Sequence, residues 1–456
     1  MAADLLPSRG GLMWRRLAWL ALLAPLFFVS YNFANGYTAQ RDDVGSLVFA
    51  WETLIPLWPW TIVPYWSIDL LYGLSFLLPT SRRELDRHAL RLVSAQLVCV
   101  AGFLLWPLQF TFERPELGGV FGAMFDVLMG FDKPYNQAPS LHITLLIVLW
   151  ACFAAHLGGR WRWLLHGWFT LIGLSVLTTW QHHFIDLPTG VLAGWLCVWL
   201  WPSNAPAPWR HWRLHGDAKR LRLALRYAAG SAATLAVAIV FSGGWLWLWW
   251  PSLSLALVAL NYAVLGPQGF QKQANGRLST AATWLYAPYL ALAWLNSRAW
   301  TRRHPQADEV CEGVFLGRLP SRREQAGFEA IVDLCAELPV HVRTPGYRAL
   351  PVLDLTAPSA ETCLAAAQAI DALRVSSPGP LLVCCALGYS RSATAVAAWL
   401  LYTGRCASAA QAFAQIRSAR PQVVLHEAQK QALDAMPQRP PSCDTQGHAD
   451  ARQRRS

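Results

Sequence analysis

Long apolar runs separated by short basic clusters fill the first two-thirds of the chain. Stretches at 17–35, 61–80, 92–110, 141–158, 163–180 and 186–202 approach the roughly 20 apolar residues that a hydrocarbon-spanning helix needs. Two more cover 223–242 and 245–265. The segment 279–297 is uncharged, but Thr and Asn dilute it and Pro288 interrupts it, so it reads as interfacial or re-entrant. From Cys311 the pattern shortens. Val314–Leu316, Ala330–Leu334, Leu350–Leu353 and Leu381–Val383 read as core strands. Glu361–Arg374, Ser392–Tyr402 and Ser408–Ser418 read as helices, the last opening on a Ser408/Gln411 capping box. The expected fold is therefore an all-α polytopic membrane domain over 1–202, with six core helices. A basic linker, an extra membrane hairpin and the interfacial segment follow over 203–300, then a soluble α/β domain over 301–437. The polar, Pro-containing tail at 438–456 has the composition of a disordered segment.

Charge supports this division. Only 14% of residues are charged, against about 25% in a soluble globular chain. The net charge of +11 does not point to nucleic acid, because the basic residues sit between apolar runs as topology signals do. Arg15/Arg16, Arg82 to Arg91, Arg160/Arg162 and Arg210 to Arg226 mark cytoplasmic loops; 36–60, 111–140, 181–185 and 243–244 then lie outside. No small-x-small cleavage site follows the run from Leu17 to Phe33, so it reads as an uncleaved helix rather than a signal peptide. Seven of the ten cysteines follow residue 300 without zinc-ligand spacing, which suits a reducing compartment. The expectation is a multi-pass protein of the cell inner membrane with a cytoplasmic C-terminal domain.

The C-terminal chemistry centres on Leu381-Leu382-Val383-Cys384-Cys385-Ala386-Leu387-Gly388-Tyr389-Ser390-Arg391-Ser392. A buried strand, a cysteine, a five-residue loop with a central glycine, an arginine and a helix suit a thiolate nucleophile for phosphate esters. Backbone N–H groups at a helix N-terminus cradle an anion, and such a field favours a cysteine thiolate. A guanidinium grips two phosphate oxygens as a planar fork. The alternative is a buried core thiol and a surface cation. This loop resembles the H-C-x-x-G-x-x-R loop of dual-specificity, protein-tyrosine-phosphatase-like enzymes, over roughly 305–435. The resemblance implies that Cys385 attacks phosphorus and Arg391 binds the transition state. It also implies that Ser392 assists release, with Gly388 and Ser390 among the phosphate-binding loop residues. The family's acid is an aspartate about thirty residues upstream; Asp354 fits, while Asp333 is farther away and followed by Leu334. Cys384 stands where the family carries a histidine that supports the nucleophile. The loop's variable positions lack the lysines of phosphoinositide-type members, leaving phosphoproteins and lipid monophosphates as substrates.

Three patches mark the membrane region: Glu113-Arg114-Pro115, Pro139-Ser140-Leu141-His142 and His182-His183-Phe184-Ile185-Asp186. The arginine-derived topology puts all three at the outer interface, where a cation, imidazoles and a carboxylate can bind and attack a lipid phosphate. Taken singly, each reads as a loop anchor, an interfacial histidine or an N-cap. Together they resemble the R-P … P-S-x-H … H-x3-D pattern of type 2 phosphatidic acid phosphatases, over roughly 55–202. The resemblance implies His182 as nucleophile, Asp186 as its partner, His142 as acid, and Arg114 with Ser140 as phosphate ligands. A lysine and an arginine of that pattern are Pro107 and Val176 here, as in sphingomyelin-synthase-like phosphotransferases, so head-group transfer stands beside hydrolysis. A bacterial fusion family carries both domains. The rival readings are a non-catalytic membrane anchor, and a C-terminal domain that reads phosphate with little turnover. Neither site's pattern calls for a metal or cofactor.

Overall fold

The structure is a computed structural model describing residues 9–130, 132–203, 205–214, 216–342, 344 and 346–437. The tail at 438–456 lies outside the described residues. The chain forms two compact units, one of residues 1–212, 229–255 and 280–286, the other of 213–228, 256–279 and 287–456.

The first unit is helical: α1 (Arg9–Thr38), α2 (Ile62–Ser75), α3 (Arg82–Leu105), α4 (Gly119–Met129), α5 (Leu141–His156), α6 (Gly159–Thr178) and α7 (Asp186–Leu200). Parts of α8 (Ala218–Phe241), α9 (Trp249–Leu260) and α10 (Thr280–Trp300) complete it. Among the described residues, Gly11–Thr38, Arg82–Leu105, Ala218–Phe241 and Gly243–Phe270 are long and apolar enough to cross a membrane. The helices expected over 61–80, 141–158 and 186–202 are shorter, at 14, 16 and 15 residues. The short helix α4 lies inside what the sequence suggested was an outer loop.

Two glycines set the closest helix packing. A Cβ at Gly190 would lie 2.9 Å from the Ser140 carbonyl oxygen, and one at Gly194 2.6 Å from Ile147 Cβ. Small residues four apart let α7 lie directly on α5, as in membrane helix pairs. Pro288 does not interrupt its segment, contrary to the expectation; α10 runs through it. Proline deprives the carbonyl four residues earlier of its helical donor, and the indole N–H of Trp250 supplies one, donating to Trp284 O at 2.9 Å.

The second unit holds a five-stranded sheet: β1 (Asp308–Cys311), β2 (Val314–Arg318), β3 (Ala330–Cys335), β4 (Gly346–Val352) and β5 (Leu381–Cys385), in the order β1-β2-β5-β3-β4. Only β1 is antiparallel. Strands β3 and β5 are buried at every position, the continuous apolar reading of parallel strands covered on both faces. One face packs on α11 (Ala360–Ser376), α12 (Arg391–Tyr402), α13 (Ala409–Ala419) and α14 (Glu427–Asp434) around buried Trp399. Cys385 faces this core; Cys384 faces the other, with Ile331, Leu338 and Leu382. The short elements β1 and α14 were not legible in the residue pattern.

Candidate functional site

The Cys385 loop is shaped by its glycine. Gly388 has φ +74°, and a Cβ there would lie 2.4 Å from the Gly317 carbonyl carbon, so a side chain is excluded twice. The turn brings Gly388 N within 3.3 Å of Cys385 Sγ, and Ser392 Oγ donates to the same sulfur at 3.2 Å. Both donors stabilise negative charge on sulfur. Arg391 opens α12, buried beneath the loop. Its Nη1 and Nη2 donate to Glu337 Oε2 and Oε1 at 2.9 and 2.8 Å, and Nη1 also donates to Val352 O. Asp354 Oδ1 lies 2.9 Å from Arg391 Nη2.

These three charges set one another's protonation. Burial pushes the Glu337 carboxyl up, but the Arg391 guanidinium more than reverses this and holds it below the usual carboxylate range. Burial lifts the Asp354 carboxyl; Arg391 opposes that and the Glu337 charge adds to it, leaving Asp354 above the usual range. A carboxyl whose proton affinity is raised is better suited to donate a proton than an ordinary surface carboxylate.

Several residues outside the motif brace the loop. Arg420, fully buried, donates from Nε to Gly388 O and pairs with Asp308. Ser297 Oγ donates to Ala386 O, and Gln429 Nε2 to Ser390 Oγ. Asp333, the other sequence candidate for the acid, is fully buried and pairs with Lys272. Tyr347 OH and Cys335 N also donate to it. It is thus committed to structure. Lys272 Nζ also donates to Cys335 O and Leu338 O; burial pulls its ammonium down, but Asp333 together with the neighbouring Cys335 and Cys384 reverses this and keeps it above the usual range. This charge pair lies on the sheet face that Cys384 occupies in place of histidine, and Asp333 is register partner to Cys384.

In the helical unit, His182, Asp186 and Ser140 converge. His182 Nδ1 lies 3.1 Å from Asp186 Oδ2, and His182 Nε2 lies 3.1 Å from Ser140 Oγ. The carboxylate assigns the proton to Nδ1, leaving the Nε2 lone pair to accept from the Ser140 hydroxyl. That hydroxyl also caps α5, accepting from Ile143 N, and Ser140 N donates to Asp186 O. The glycine-mediated contact of α7 on α5 is what permits this closeness.

His183 has the same tautomer and a different task. Its Nδ1 lies 3.1 Å from Glu52 Oε2, and its Nε2 accepts from Thr111 N, so both nitrogens are committed to holding loops. A cavity of about 480 Å³ is lined by Arg114, Asp132, Lys133, Asn136, Gln137 and His182. A second of about 220 Å³ is lined by Tyr65, Asp69, His142 and His182. His142 stacks on Tyr65 with ring centroids 4.1 Å apart. Its Nε2 and Asp186 Oδ1 are buried without partners among the described residues. Arg114 donates from Nε to Thr179 O and from Nη2 to Trp180 O while lining the larger cavity.

A cysteine and an arginine share one loop between a central parallel strand and a helix, and by the domain match that follows the chain is a phosphoric monoester hydrolase. Residues 314–438 match the dual specificity phosphatase catalytic domain, and the chain carries that domain there. No curated protein matches the chain. Similar solved structures include Tk-PTP in its active form, with 31% identity, 29% of this chain and 95% of that one covered, and TM-score 0.27. Human DUSP28 has 26% identity, 28% and 91% covered, and TM-score 0.26. PTPMT1 in complex with PI(5)P has 18% identity, 32% and 97% covered, and TM-score 0.24.

Proposed function

We propose that this protein is a multi-pass enzyme of the cell inner membrane with two phosphate sites of different chemistry. At the first, Cys385 attacks phosphorus and forms a phosphocysteine while Arg391 and the loop N–H groups hold the equatorial oxygens. Asp354 gives its proton to the leaving oxygen, and Ser392 stabilises the sulfur as water releases phosphate. The observation that carries this reading is the Asp354–Arg391–Glu337 cluster, which keeps an acid and an anion-binding cation in contact. Its substrates are phosphoproteins or lipid monophosphates. Turnover of an aryl phosphate by the full chain, lost in Cys385→Ser, is the expected result; unchanged turnover in that variant sinks it.

At the second site, we propose that His182 Nε2 attacks a lipid phosphate, oriented by Asp186, with His142 as acid and Arg114 and Ser140 as ligands. The Ser140–His182–Asp186 alignment on a cavity supports this. Arginine placement supports a cytoplasmic phosphatase domain and an outward His182 site. Head-group transfer would start from a phosphodiester lipid, release its lipid alcohol, carry the phosphorylated head group on His182 and pass it to an acceptor alcohol in place of water. Lipid-phosphate turnover that survives Cys385→Ser and disappears in Cys385→Ser/His182→Ala is expected. Retention in the double variant refutes catalysis by His182 and leaves the helices as an anchor.

A further inference from the structure

The compact unit that contains Cys385 begins well before the matched phosphatase domain, taking in 213–228 and 256–279. Those segments are the ends of two stretches long and apolar enough to cross a membrane, Ala218–Phe241 and Gly243–Phe270. Within the second, Tyr262 is buried, and its hydroxyl donates to the backbone oxygen of Asp354 at 3.0 Å. Tyr227 of the first stacks on Tyr262 with ring centroids 5.4 Å apart, and Arg220 donates to Tyr262 O and Asn261 O. The loop that bears Asp354 is therefore fastened, within one hydrogen bond, to the end of a spanning stretch. Insertion of that stretch in a bilayer would hold Asp354 close to the membrane surface.

The rim of the site has matching chemistry. Leu355, next to Asp354, is 57% exposed and held at φ +58°. That left-handed conformation costs an L-residue about 1–2 kcal/mol, so the fold spends stability to keep a leucine outward beside the acid. Val424, also exposed, donates its N–H to Tyr389 O of the Cys385 loop. Between Cys385 and Arg391 the loop carries no charge, so it offers cationic room for one phosphate and an apolar rim for whatever bears it.

We infer that the Cys385 site acts on the phosphate monoester of a membrane-resident lipid, the apolar rim receiving the first part of its hydrocarbon. This rests on the phosphatase reading of Cys385 given above. The test uses the full chain with His182→Ala, which silences the other site, in phosphatidylcholine nanodiscs that leave both faces accessible. Long-chain phosphatidic acid in the disc, a phosphotyrosine peptide and p-nitrophenyl phosphate are compared, each with a Cys385→Ser control. Expected is Cys385-dependent turnover of the lipid with kcat/KM above that of the peptide. In Leu355→Asn, whose side chain tolerates the left-handed backbone, the lipid-to-aryl ratio should fall about tenfold, the loss of one aliphatic contact. Cys385-dependent hydrolysis of peptide and aryl phosphate with no lipid turnover overturns the inference, assigns phosphoproteins, and leaves the phosphatase reading intact. Absence of Cys385-dependent aryl phosphate turnover overturns both.

Discussion

Glu337→Gln isolates the charge that organises Arg391. The side chain keeps its volume and one acceptor, while a buried, bidentate ion pair loses its anion. Breaking such a pair outright costs about 3–5 kcal/mol. With one acceptor kept, and Asp354 and Val352 O still on Arg391, about 2 kcal/mol is expected, the scale of one charge-assisted hydrogen bond. The pH dependence has a definite sign. Glu337 is held below its unfolded carboxyl pKa of about 4.3. Its contribution is thus present above that pH and lost as pH falls through the depressed folded value. Denaturant titrations of wild type and variant should differ at neutral pH and converge in acid. The same substitution removes the negative charge that helps lift Asp354, so the alkaline limb of kcat, which follows loss of the acid's proton, should move to lower pH. Equal stability at neutral pH together with coincident alkaline limbs would refute the assignment of Glu337 as organiser of both groups.

Asp354→Asn should lower kcat about 10²- to 10⁴-fold on an alkyl phosphate, the range of general-acid catalysis, and far less on p-nitrophenyl phosphate. Equal losses on the two leaving groups would remove Asp354 from the acid role. Lys272→Met leaves Asp333 as an uncompensated buried charge and should cost about 3–5 kcal/mol; adding Asp333→Asn should restore most of it in the same denaturation assay. Gly388→Ala should abolish Cys385-dependent turnover while the His182 site still responds, measured on aryl and lipid phosphate. Gly190→Leu should do the reverse, by prising α7 from α5 and separating Asp186 from Ser140.

The residues that form the loop Cys385–Arg391 were legible because they are local: strand, turn and helix follow within twelve positions. The convergence of His182, Asp186 and Ser140 at one interface was also readable, from the shared motif and the arginine-derived topology, but the direct hydrogen bond between His182 and Ser140 was not. Glu337, Arg420, Lys272 and Tyr262 were not. Each reaches its partner over 32 to 92 positions of chain, and a lone charged or aromatic residue carries no periodicity to announce it. Pro288 failed as a helix breaker for a related reason, because the compensating donor, Trp250, comes from another helix. The Cys384 departure gained a physical context only when Lys272 and Asp333 were seen on the same face of the sheet.

Arg391 meets an incoming phosphate already engaged, its guanidinium shared among Glu337, Asp354 and Val352 O. Entry is therefore an exchange of anions. In the proposed reaction Asp354 gives up Arg391, and a ligand with more charge on its oxygens displaces it more readily. This sets a preference. With Arg391 in the phosphate-binding role proposed for it, a dianionic monoester should displace the carboxylate more readily than a singly charged anion or a phosphodiester, which brings less charge on fewer free oxygens. The displaced Asp354, relieved of the guanidinium that held its proton affinity down, is then beside the substrate with that affinity at its highest. Under the acid role proposed for Asp354, occupancy of the site itself arms the acid.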